Sequence, residues 1–254
     1  MNVYIDQNKI IETVLNQISV ADREFFQRIW QKDLSVYKNR LKSIKIEKKS
    51  NVLDAGCGFG QWSVSLSILN KNVFSIDKSA KRIQILNNII DNLKIKNIKT
   101  SIGSISNMKF DDDFFDEIFC YSAIYFTDFK KTLNEFYRVL KPGGKIYIQT
   151  NGLGWYLYNL IEGHNSSQNF DSKKMANLTF ENTFDYYEKG ILRAGNQIII
   201  PSKILTDNAS QIGFKNLFVS GDGKIKLNKE IVTESFYDQK YYGIEGPYEM
   251  IAFK

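Results

Sequence analysis

The sequence predicts an α/β fold in which helices cover both faces of a parallel sheet, a three-layer α/β/α arrangement. From residue 51 onward, short apolar runs alternate with segments of helical spacing, and the first run ends in a glycine-rich turn that leads into a helix. The composition agrees with one large domain, because 254 residues with 43% hydrophobic and 24% charged side chains can bury a sizeable core.

Residues 1–46 are predicted to form a helical extension of that core. Between Ala21 and Leu41, apolar residues recur at intervals of three to five positions, which is approximately the spacing of one helix face. They are Phe25, Phe26, Ile29, Leu34 and Tyr37. We therefore expect a continuous helical pattern over 21–41 and a change of period near residue 50.

Residues 47–150 carry the alternation itself. The predicted strands are 51–55, 72–76, 98–102, 116–121 and 145–150, and the predicted helices are 61–69, 79–93 and 128–140. Ser79 is a plausible N-cap of the second helix, because its hydroxyl can accept a hydrogen bond from a free backbone N–H. Lys141-Pro142-Gly143-Gly144 follows the third helix and is expected to end it.

The segment 151–200 interrupts the alternation, being long, aromatic and polar, and 201–254 resumes it. A helix is expected near 202–212, ended by Gly213, with strands near 215–220 and 248–253. With no linker-like stretch, the sequence predicts a single domain over 1–254, in which 151–200 is an insertion and 201–254 completes the sheet.

Charge and cysteine content exclude several classes of protein. With one His and two Cys, the sequence predicts neither a structural zinc site nor a disulfide framework, and no metal is expected. No apolar run approaches the roughly 18 residues of a membrane span, and the first residues lack the pattern of a signal peptide. A cytoplasmic protein without a membrane partner is the expectation.

A basic segment over 38–49 contributes to the net charge of +6. It comprises Lys38, Arg40, Lys42, Lys45, Lys48 and Lys49. Such a segment can meet nucleic-acid phosphates, but a solvated connection between a helix and a strand is the favoured interpretation.

The most informative stretch is Val52-Leu53-Asp54-Ala55-Gly56-Cys57-Gly58-Phe59-Gly60-Gln61-Trp62. Glycines between a strand and a helix let the backbone approach a ligand, and the helix N-terminus offers free N–H groups to an anion. The dinucleotide pattern would need glycine at position 61, and no Gly-Lys-Ser/Thr follows for a phosphate-binding loop. Asp54 would oppose a pyrophosphate but suits an ammonium group.

Asp77 follows the second predicted strand, 17 residues after Gly60. A carboxylate there can accept two hydrogen bonds from a ribose diol. A helix-capping or loop residue is the alternative, and the neighbouring glycine loop favours the diol.

These stretches together resemble the class I S-adenosylmethionine-dependent methyltransferases. VLDAGCGFG is similar to their first motif, FSIDKS to the second, FDEIFCYSAIYFTD to the fourth strand and its loop, and LNEFYRVLKPGGKIYI to the following helix and strand. The resemblance covers about residues 50–150 and is to the small-molecule methyltransferases of this family. It implies a Rossmann-like, doubly wound sheet of seven strands, mostly parallel with the last strand antiparallel.

The resemblance also implies S-adenosyl-L-methionine as cofactor and S-adenosyl-L-homocysteine as product. Asp54, Ala55 and the loop with Gly56, Gly58 and Gly60 would hold the methionyl part. Asp77 would bind the ribose hydroxyls, and Lys78 would lie beside the ribose or adenine. Ser104 and Ile105 would meet the adenine, and Tyr121 would close the site. Many members carry an acidic residue where this chain has Ser104, so the adenine contact departs from the family pattern.

The acceptor is indicated mainly by exclusion. Cys120-Tyr121-Ser122-Ala123-Ile124-Tyr125 contains no proline, unlike methylases of exocyclic base amines, and the neighbours of Cys120 match no catalytic cysteine pattern. The aromatic insertion is the candidate substrate cover, and its Trp155, Tyr156 and Tyr158 are substrate-binding candidates. Tyr125, which follows the fourth predicted strand, is a further candidate. A small satellite core is the alternative.

The sequence therefore predicts a methyltransferase (EC 2.1.1.-) that acts on an oxygen of a small-molecule acceptor, such as a sugar, a sugar phosphate or a biosynthetic intermediate. His164, the only histidine, is the candidate general base. An RNA methyltransferase and a non-catalytic cofactor-binding protein are the alternatives.

Overall fold

A computed structural model describes residues 7–254, leaving aside the side chains at positions 9 and 21. The strands along this part of the chain are β1 (Asn51–Ala55), β2 (Asn72–Asp77), β3 (Ile98–Ile102), β4 (Phe115–Tyr121), β5 (Leu140–Asn151), β6 (Lys215–Gly221), β7 (Lys240–Tyr241), β8 (Ile244–Glu245) and β9 (Pro247–Phe253). Seven of them form one sheet in the order β3-β2-β1-β4-β5-β9-β6, while β7 and β8 form a separate hairpin. β9 runs antiparallel to β5 and β6, and β1–β5 pair in parallel. The predicted fold class is confirmed.

The helices of the described residues are α1 (Gln7–Val14), α2 (Val20–Trp30), α3 (Leu34–Ser43), α4 (Gln61–Leu69), α5 (Ala80–Leu93), α6 (Phe129–Val139), α7 (Leu153–Glu162), α8 (Ser172–Lys189) and α9 (Ser202–Ile212). Ser79 is the N-cap of α5, as predicted, since its Oγ accepts from the Arg82 N–H at 3.3 Å.

Alternating side chains of the strands build a core on each face of the sheet. On one face, Leu53 and Ile118 pack in the same buried cluster as residues of α6 and α9. On the other, Val52 and Phe119 pack in a cluster with residues of α1–α5. The N-terminal helices therefore belong to the second core layer.

The strand order reverses between β1 and β4, which lie side by side in parallel. Asp54 stands in register with Ser75 of β2 and with Phe119 of β4, so the carboxyl ends of these three strands meet at one edge. In open α/β sheets, ligands bind in the crevice at such a reversal point.

The helical pattern over 21–41 is divided between α2 and α3, with Gln31–Asp33 between them. The reason is a cap: Asp33 Oδ1 accepts from the Ser35 N–H at 2.7 Å and starts a new helix. The first six residues of the predicted helical extension lie outside the described residues.

The predicted break at 141–144 is part of strand β5 rather than a loop. α6 ends at Val139, and Gly143 and Gly144 pair with the chain end: the Gly143 N–H donates to the Lys254 carbonyl, and the Lys254 N–H donates to the Gly144 carbonyl, each at 3.0 Å. The pairing of β4 with β5 is irregular over this stretch, since Phe115 stands opposite Leu140 and Glu117 opposite Lys145.

A buried charge cluster ties α3 to the far side of the sheet. Arg40 is 1% exposed and contacts Asp222 at 3.0 Å and Glu249 at 3.3 Å, both fully buried. The Tyr147 hydroxyl donates to Glu249 at 2.6 Å. Burial raises the pKa of Glu249, and the Arg40 guanidinium opposes that rise. The cluster joins the N-terminal helices to the strands that complete the sheet.

Candidate active site

The glycine loop at the carboxyl end of β1 has a backbone that only glycine adopts readily. Gly56, Gly58 and Gly60 have φ values of +79°, +54° and +86°. A Cβ at Gly56 would collide with Ala123, and one at Gly60 would collide with Leu86. A Cβ at Gly58 would meet no described heavy atom within 4 Å. Gly56 and Gly60 therefore permit close packing, while Gly58 presents bare backbone at the sheet edge.

The N-terminus of α4 follows this loop directly. Gly60 is its N-cap and provides no side-chain cap for the first N–H groups of the helix. Gln61 opens the helix, and its Oε1 is buried without a hydrogen-bond partner among residues 7–254. Within the loop, the Gly56 and Cys57 N–H groups donate to the Ile76 carbonyl and the Gly60 N–H donates to the Cys57 carbonyl. The start of α4 is therefore the part of this turn that offers backbone donors to an anion.

Asp77 ends β2 beside the loop. Its Oδ2 accepts from the Gly58 N–H at 2.9 Å and its Oδ1 from the Ser79 N–H at 2.8 Å. Each oxygen keeps a further lone pair for a ligand hydroxyl. Asp77 therefore braces the loop, and its contact with a ribose diol stays a prediction.

Asp54 lies beneath the loop and is 2% exposed. The Ser63 hydroxyl donates to its Oδ2 at 2.5 Å, and the Ser75 hydroxyl donates to Ser63 at 2.9 Å. Burial raises the pKa of Asp54 from 3.8 to about 7, with a smaller contribution from Asp77, while the Ser63 hydrogen bond opposes the rise. An ammonium group beside it would favour the ionised form.

The side where adenine is expected is more open. Lys78 is exposed, and its Nζ lies 5.2 Å from the ring centroid of Phe126. The exposed Ser104 accepts from the Ser106 N–H at 3.2 Å, so its hydroxyl already holds the loop after β3. Ile105 is buried beneath that loop.

The carboxyl end of β4 supplies the wall opposite the loop. The Tyr121 hydroxyl donates to Asp222 at 3.0 Å, and its ring lies 4.9 Å from that of Trp62. Ser122 has a φ of +54°, and its hydroxyl donates to Gln149 at 2.6 Å. Tyr125 is buried, with its ring 4.8 Å from Phe126. A strained turn therefore brings polar groups and two tyrosines to this edge.

The predicted substrate-binding residues of α7 separate into two groups. Trp155 and Tyr156 are buried near the start of the helix, and the Tyr156 hydroxyl donates to Gln197 at 2.8 Å. Tyr158 stacks on Tyr241 with centroids 4.5 Å apart. Trp155 also lies 5.8 Å from the Tyr241 ring, so both groups pack near the β7–β8 hairpin.

His164 lies beyond the end of α7 and is exposed. Its Nδ1 is 3.2 Å from the Tyr158 hydroxyl. The ten residues of α7 extend for about 15 Å, so His164 is placed away from the strand ends. The loop, Asp54, Asp77 and Tyr121 come together at one edge; His164 does not join them, and its role as a base stays a prediction.

Two aromatic residues at this edge, Phe236 and Tyr237, were not among the predicted site residues. The Phe236 ring lies 6.2 Å from Tyr121 and 6.3 Å from Trp62, and the Tyr237 ring lies 5.0 Å from Trp155. They follow β6 in a stretch without strand or helix periodicity. Two adjacent aromatic residues were the one signal that the sequence offered.

The N-terminal helices also reach the loop. Phe26 contacts Phe59 of the glycine loop at 5.4 Å, and the Arg82 guanidinium lies 5.0 Å from the same ring. Asp22 of α2 pairs with Arg82 at 3.5 Å. The N-terminal helical extension thus covers one side of the glycine loop.

A cavity of about 350 Å³ lies between the start of α6 and the end of α8, and its lining includes Asp128, Tyr186 and Tyr187. Among residues 7–254, no helix combines the length and the apolar character that a membrane span requires.

Comparison with known sequences agrees with the motifs. The chain is 28% identical over 125 residues to a demethylmenaquinone methyltransferase of Geobacillus sp. (strain WCH70), covering 46% of this chain and 52% of the relative. It is 27% identical over 109 residues to the uncharacterized methyltransferase YcgJ of Bacillus subtilis, covering 42% of this chain and 43% of the relative. The chain thus spans about half the length of these curated relatives.

Solved structures share the fold over most of the chain. A methyltransferase of Thermotoga maritima, described as a possible histamine N-methyltransferase, superposes with a TM-score of 0.56 at 18% identity, covering 97% of this chain and 99% of that one. A geranyl diphosphate methyltransferase in complex with S-adenosylmethionine gives a TM-score of 0.62 at 14% identity, covering 95% and 94%. A family model described as a methyltransferase domain matches residues 46–190, more than half of the chain. On this match, together with the sheet order and the motifs, the chain belongs to the class I S-adenosylmethionine-dependent methyltransferases.

Proposed function

We propose that this protein binds S-adenosyl-L-methionine and transfers its methyl group to an oxygen of a small-molecule acceptor. The observation that carries the proposal is the arrangement at the carboxyl edge of β1, β2 and β4. There, a glycine loop, a helix N-terminus without a side-chain cap and the carboxylates of Asp54 and Asp77 converge.

The residues present fit this cofactor. Asp77 has spare lone pairs for a ribose diol, and Gly58 leaves room for backbone contact with the ligand. Asp54 and the start of α4 suit the ammonium and the carboxylate of a methionyl group, respectively. When bound, the cofactor would supply a methyl group on a positively charged sulfur, already activated for displacement.

The protein's own contribution to the reaction is alignment and exclusion of water. Tyr121 and Tyr125 form a wall at the end of β4, and Trp155 and Tyr156 form another at the start of α7. These aromatic surfaces suit a ring-shaped acceptor, as proposed for Tyr125, Trp155 and Tyr156. Tyr158 would contact only a larger acceptor that reaches the β7–β8 hairpin.

The need for a general base depends on the acceptor. A hydroxyl must lose its proton, and His164 is the candidate that the sequence offers, whereas a phosphate or carboxylate oxygen is already ionised. Since His164 stands away from the strand ends, the proposal does not depend on it.

The experiment is a turnover screen with methyl-labelled S-adenosylmethionine against small-molecule fractions of a bacterial lysate and against purified RNA, with mass analysis of the products. Label in a small molecule supports the proposal. Label only in RNA would instead support the alternative, and cofactor binding without transfer to any fraction would support a non-catalytic role.

The basic segment gives the RNA alternative little support. Arg40 is buried in the charge cluster, and Lys49 pairs with Glu117 at 2.6 Å. Lys48 and Lys49 precede β1 and so lie at the amino edge of the sheet, opposite to the glycine loop. A phosphate backbone bound there would not bring a base to the proposed site.

A further inference from the structure

The loop between β6 and β7, residues 222–239, contains no helix or strand, yet it is firmly anchored. The Phe236 N–H donates to Asp222 at 2.7 Å, and Arg40 donates to the Glu234 carbonyl at 2.7 Å. Both anchoring side chains are at most 1% exposed. A buried ion pair thus fixes the backbone on the N-terminal side of Tyr237.

Phe236 and Tyr237, which follow the anchored backbone, pack against different parts of the site. The Phe236 ring contacts Tyr121 at 6.2 Å and lies 4.9 Å from the Arg40 guanidinium. The Tyr237 ring instead meets Trp155 edge-on, with centroids 5.0 Å apart. Phe236 therefore completes the packing around β4, and Tyr237 is held against the start of α7.

Tyr237 is partly exposed, and its hydroxyl is not one of the fully buried polar atoms that lack a partner in residues 7–254. Burial raises the pKa of Tyr37, Tyr121 and Tyr125, and the Tyr237 phenol raises each further, which places its oxygen within electrostatic range of all three. Burial also raises the pKa of Tyr237, so at neutral pH it is a donor and not a base. Because the side chain is partly exposed, water or a ligand at this edge can reach the hydroxyl and accept its hydrogen bond.

We propose that Tyr237 is a specificity-determining residue of the acceptor site, whose hydroxyl donates a hydrogen bond to a hydroxylated ring that packs against Trp155. The inference rests on the proposed function, because it names the acceptor class of the same site. Both a sugar ring and a phenolic ring have this chemistry. Each has a flat or weakly polar face that can pack on the Trp155 ring and an oxygen that can accept a hydrogen bond from Tyr237. The residue lies outside the insertion that the sequence marks as the substrate cover.

The test uses phenol and methyl β-D-glucopyranoside as ring probes, with ligand-detected NMR titrations of the full chain in the presence and absence of S-adenosylhomocysteine. Tyr237→Phe removes one oxygen and keeps the ring, and Tyr137→Phe is the matched control on α6, where the Tyr137 ring packs edge-on against Phe214. We expect at least one probe to bind on the order of 10 mM, to weaken about three- to tenfold in Tyr237→Phe, and to be unchanged in Tyr137→Phe.

Equal probe affinity in Tyr237→Phe and the wild type would overturn the inference, as would binding of neither probe to the wild type or equal loss in both variants. Titration with S-adenosylhomocysteine alone separates this result from the proposed function. If the protein does not bind the cofactor but binds a probe in a Tyr237-dependent manner, the proposed function fails, whereas the inferred site for a hydroxylated ring is retained.

Discussion

At the scale of single residues, the two carboxylates of the site have different tasks because their surroundings differ. Asp77 accepts two backbone N–H bonds and holds the glycine loop in place. Asp54 is buried with one hydroxyl donor, and burial raises its pKa to about 7. One carboxylate is therefore a fixed acceptor for hydroxyls, and the other responds to the charge of a ligand.

Replacement of Asp77 by alanine is expected to weaken S-adenosylhomocysteine binding by about 2 kcal/mol, about thirtyfold in Kd, through loss of charge-assisted bonds to the ribose. Isothermal titration calorimetry measures it, with Asp111→Ala in an exposed loop as the control. An unchanged Kd in a folded Asp77→Ala protein would show that the ribose is held elsewhere.

Cofactor affinity is expected to depend on pH through Asp54, whose pKa is raised to about 7 in the free protein. The ionised form binds an ammonium, so affinity rises as pH increases through 7 and should be about tenfold weaker at pH 6 than at pH 8. The same raised pKa means that Asp54 contributes stability at low pH that is lost as pH rises toward 7.

Calorimetric titrations across this pH range check the dependence. Asp54→Asn should remove it, and Ser63→Ala should move its midpoint to higher pH, because the Ser63 hydrogen bond lowers the pKa. A flat profile in the wild type would mean that Asp54 does not meet the ammonium.

The replacement His164→Gln is expected to leave kcat within a factor of about two, because the residue is exposed and lies past the end of α7, whereas loss of a general base costs about 10²- to 10⁴-fold. Steady-state kinetics with the acceptor found in the turnover screen distinguishes an almost unchanged kcat from the loss expected for a general base. A loss of that size, without a change in cofactor Kd, would establish His164 as the base.

At the scale of elements, the site depends on contacts between segments that are distant in the chain. The glycine loop packs on α5 through Gly60 and Leu86, and on the loop after β4 through Gly56 and Ala123. The Arg40 cluster holds α3, the β6–β7 loop and β9 together. These contacts, more than local propensity, fix the geometry of the sheet edge.

For the loop, Gly60→Ala is expected to destabilise the fold by about 2–4 kcal/mol, combining backbone strain at a φ of +86° with a collision against Leu86. Gly143→Ala is the matched control, since its φ is +78° but its Cβ would meet nothing within 4 Å. It should cost about 1 kcal/mol. Urea denaturation measures both, and equal costs would contradict the packing role of Gly60.

For the charge cluster, Arg40→Met is expected to lower the free energy of unfolding by about 3–5 kcal/mol, because it leaves Asp222 and Glu249 buried without their cation. Lys32→Met, which removes an exposed pair with Glu234, should cost no more than about 1 kcal/mol. Similar costs in the two variants, measured by denaturation, would show that the cluster is not a stabilising anchor.

At the scale of the whole molecule, the sequence predicted what depends on local pattern. The strand–helix alternation and the motifs up to residue 150 predicted the sheet, and the spacing of Gly56, Gly58 and Gly60 with Asp77 predicted which residues meet at its edge. The break between α2 and α3 was missed because apolar periodicity continues across Asp33, whose capping bond outweighs it.

The acceptor side could not be predicted in the same way. Tyr237 and Phe236 reach the edge only because Asp222 and Arg40, nearly two hundred residues apart in sequence, form a buried pair. No local pattern encodes such a tertiary contact. The aromatic insertion was recognised by composition, but composition did not show that Trp155 packs against Tyr237 or that Tyr158 contacts His164.

The central claim is that the carboxyl edge of the sheet binds S-adenosyl-L-methionine, and calorimetric titration of the pure protein with this compound at pH 8 tests it most directly. The account predicts saturable one-to-one binding, with a Kd on the order of 1–100 μM. Absence of heat and of any thermal stabilisation at millimolar S-adenosyl-L-methionine, in a protein that is folded, would contradict it.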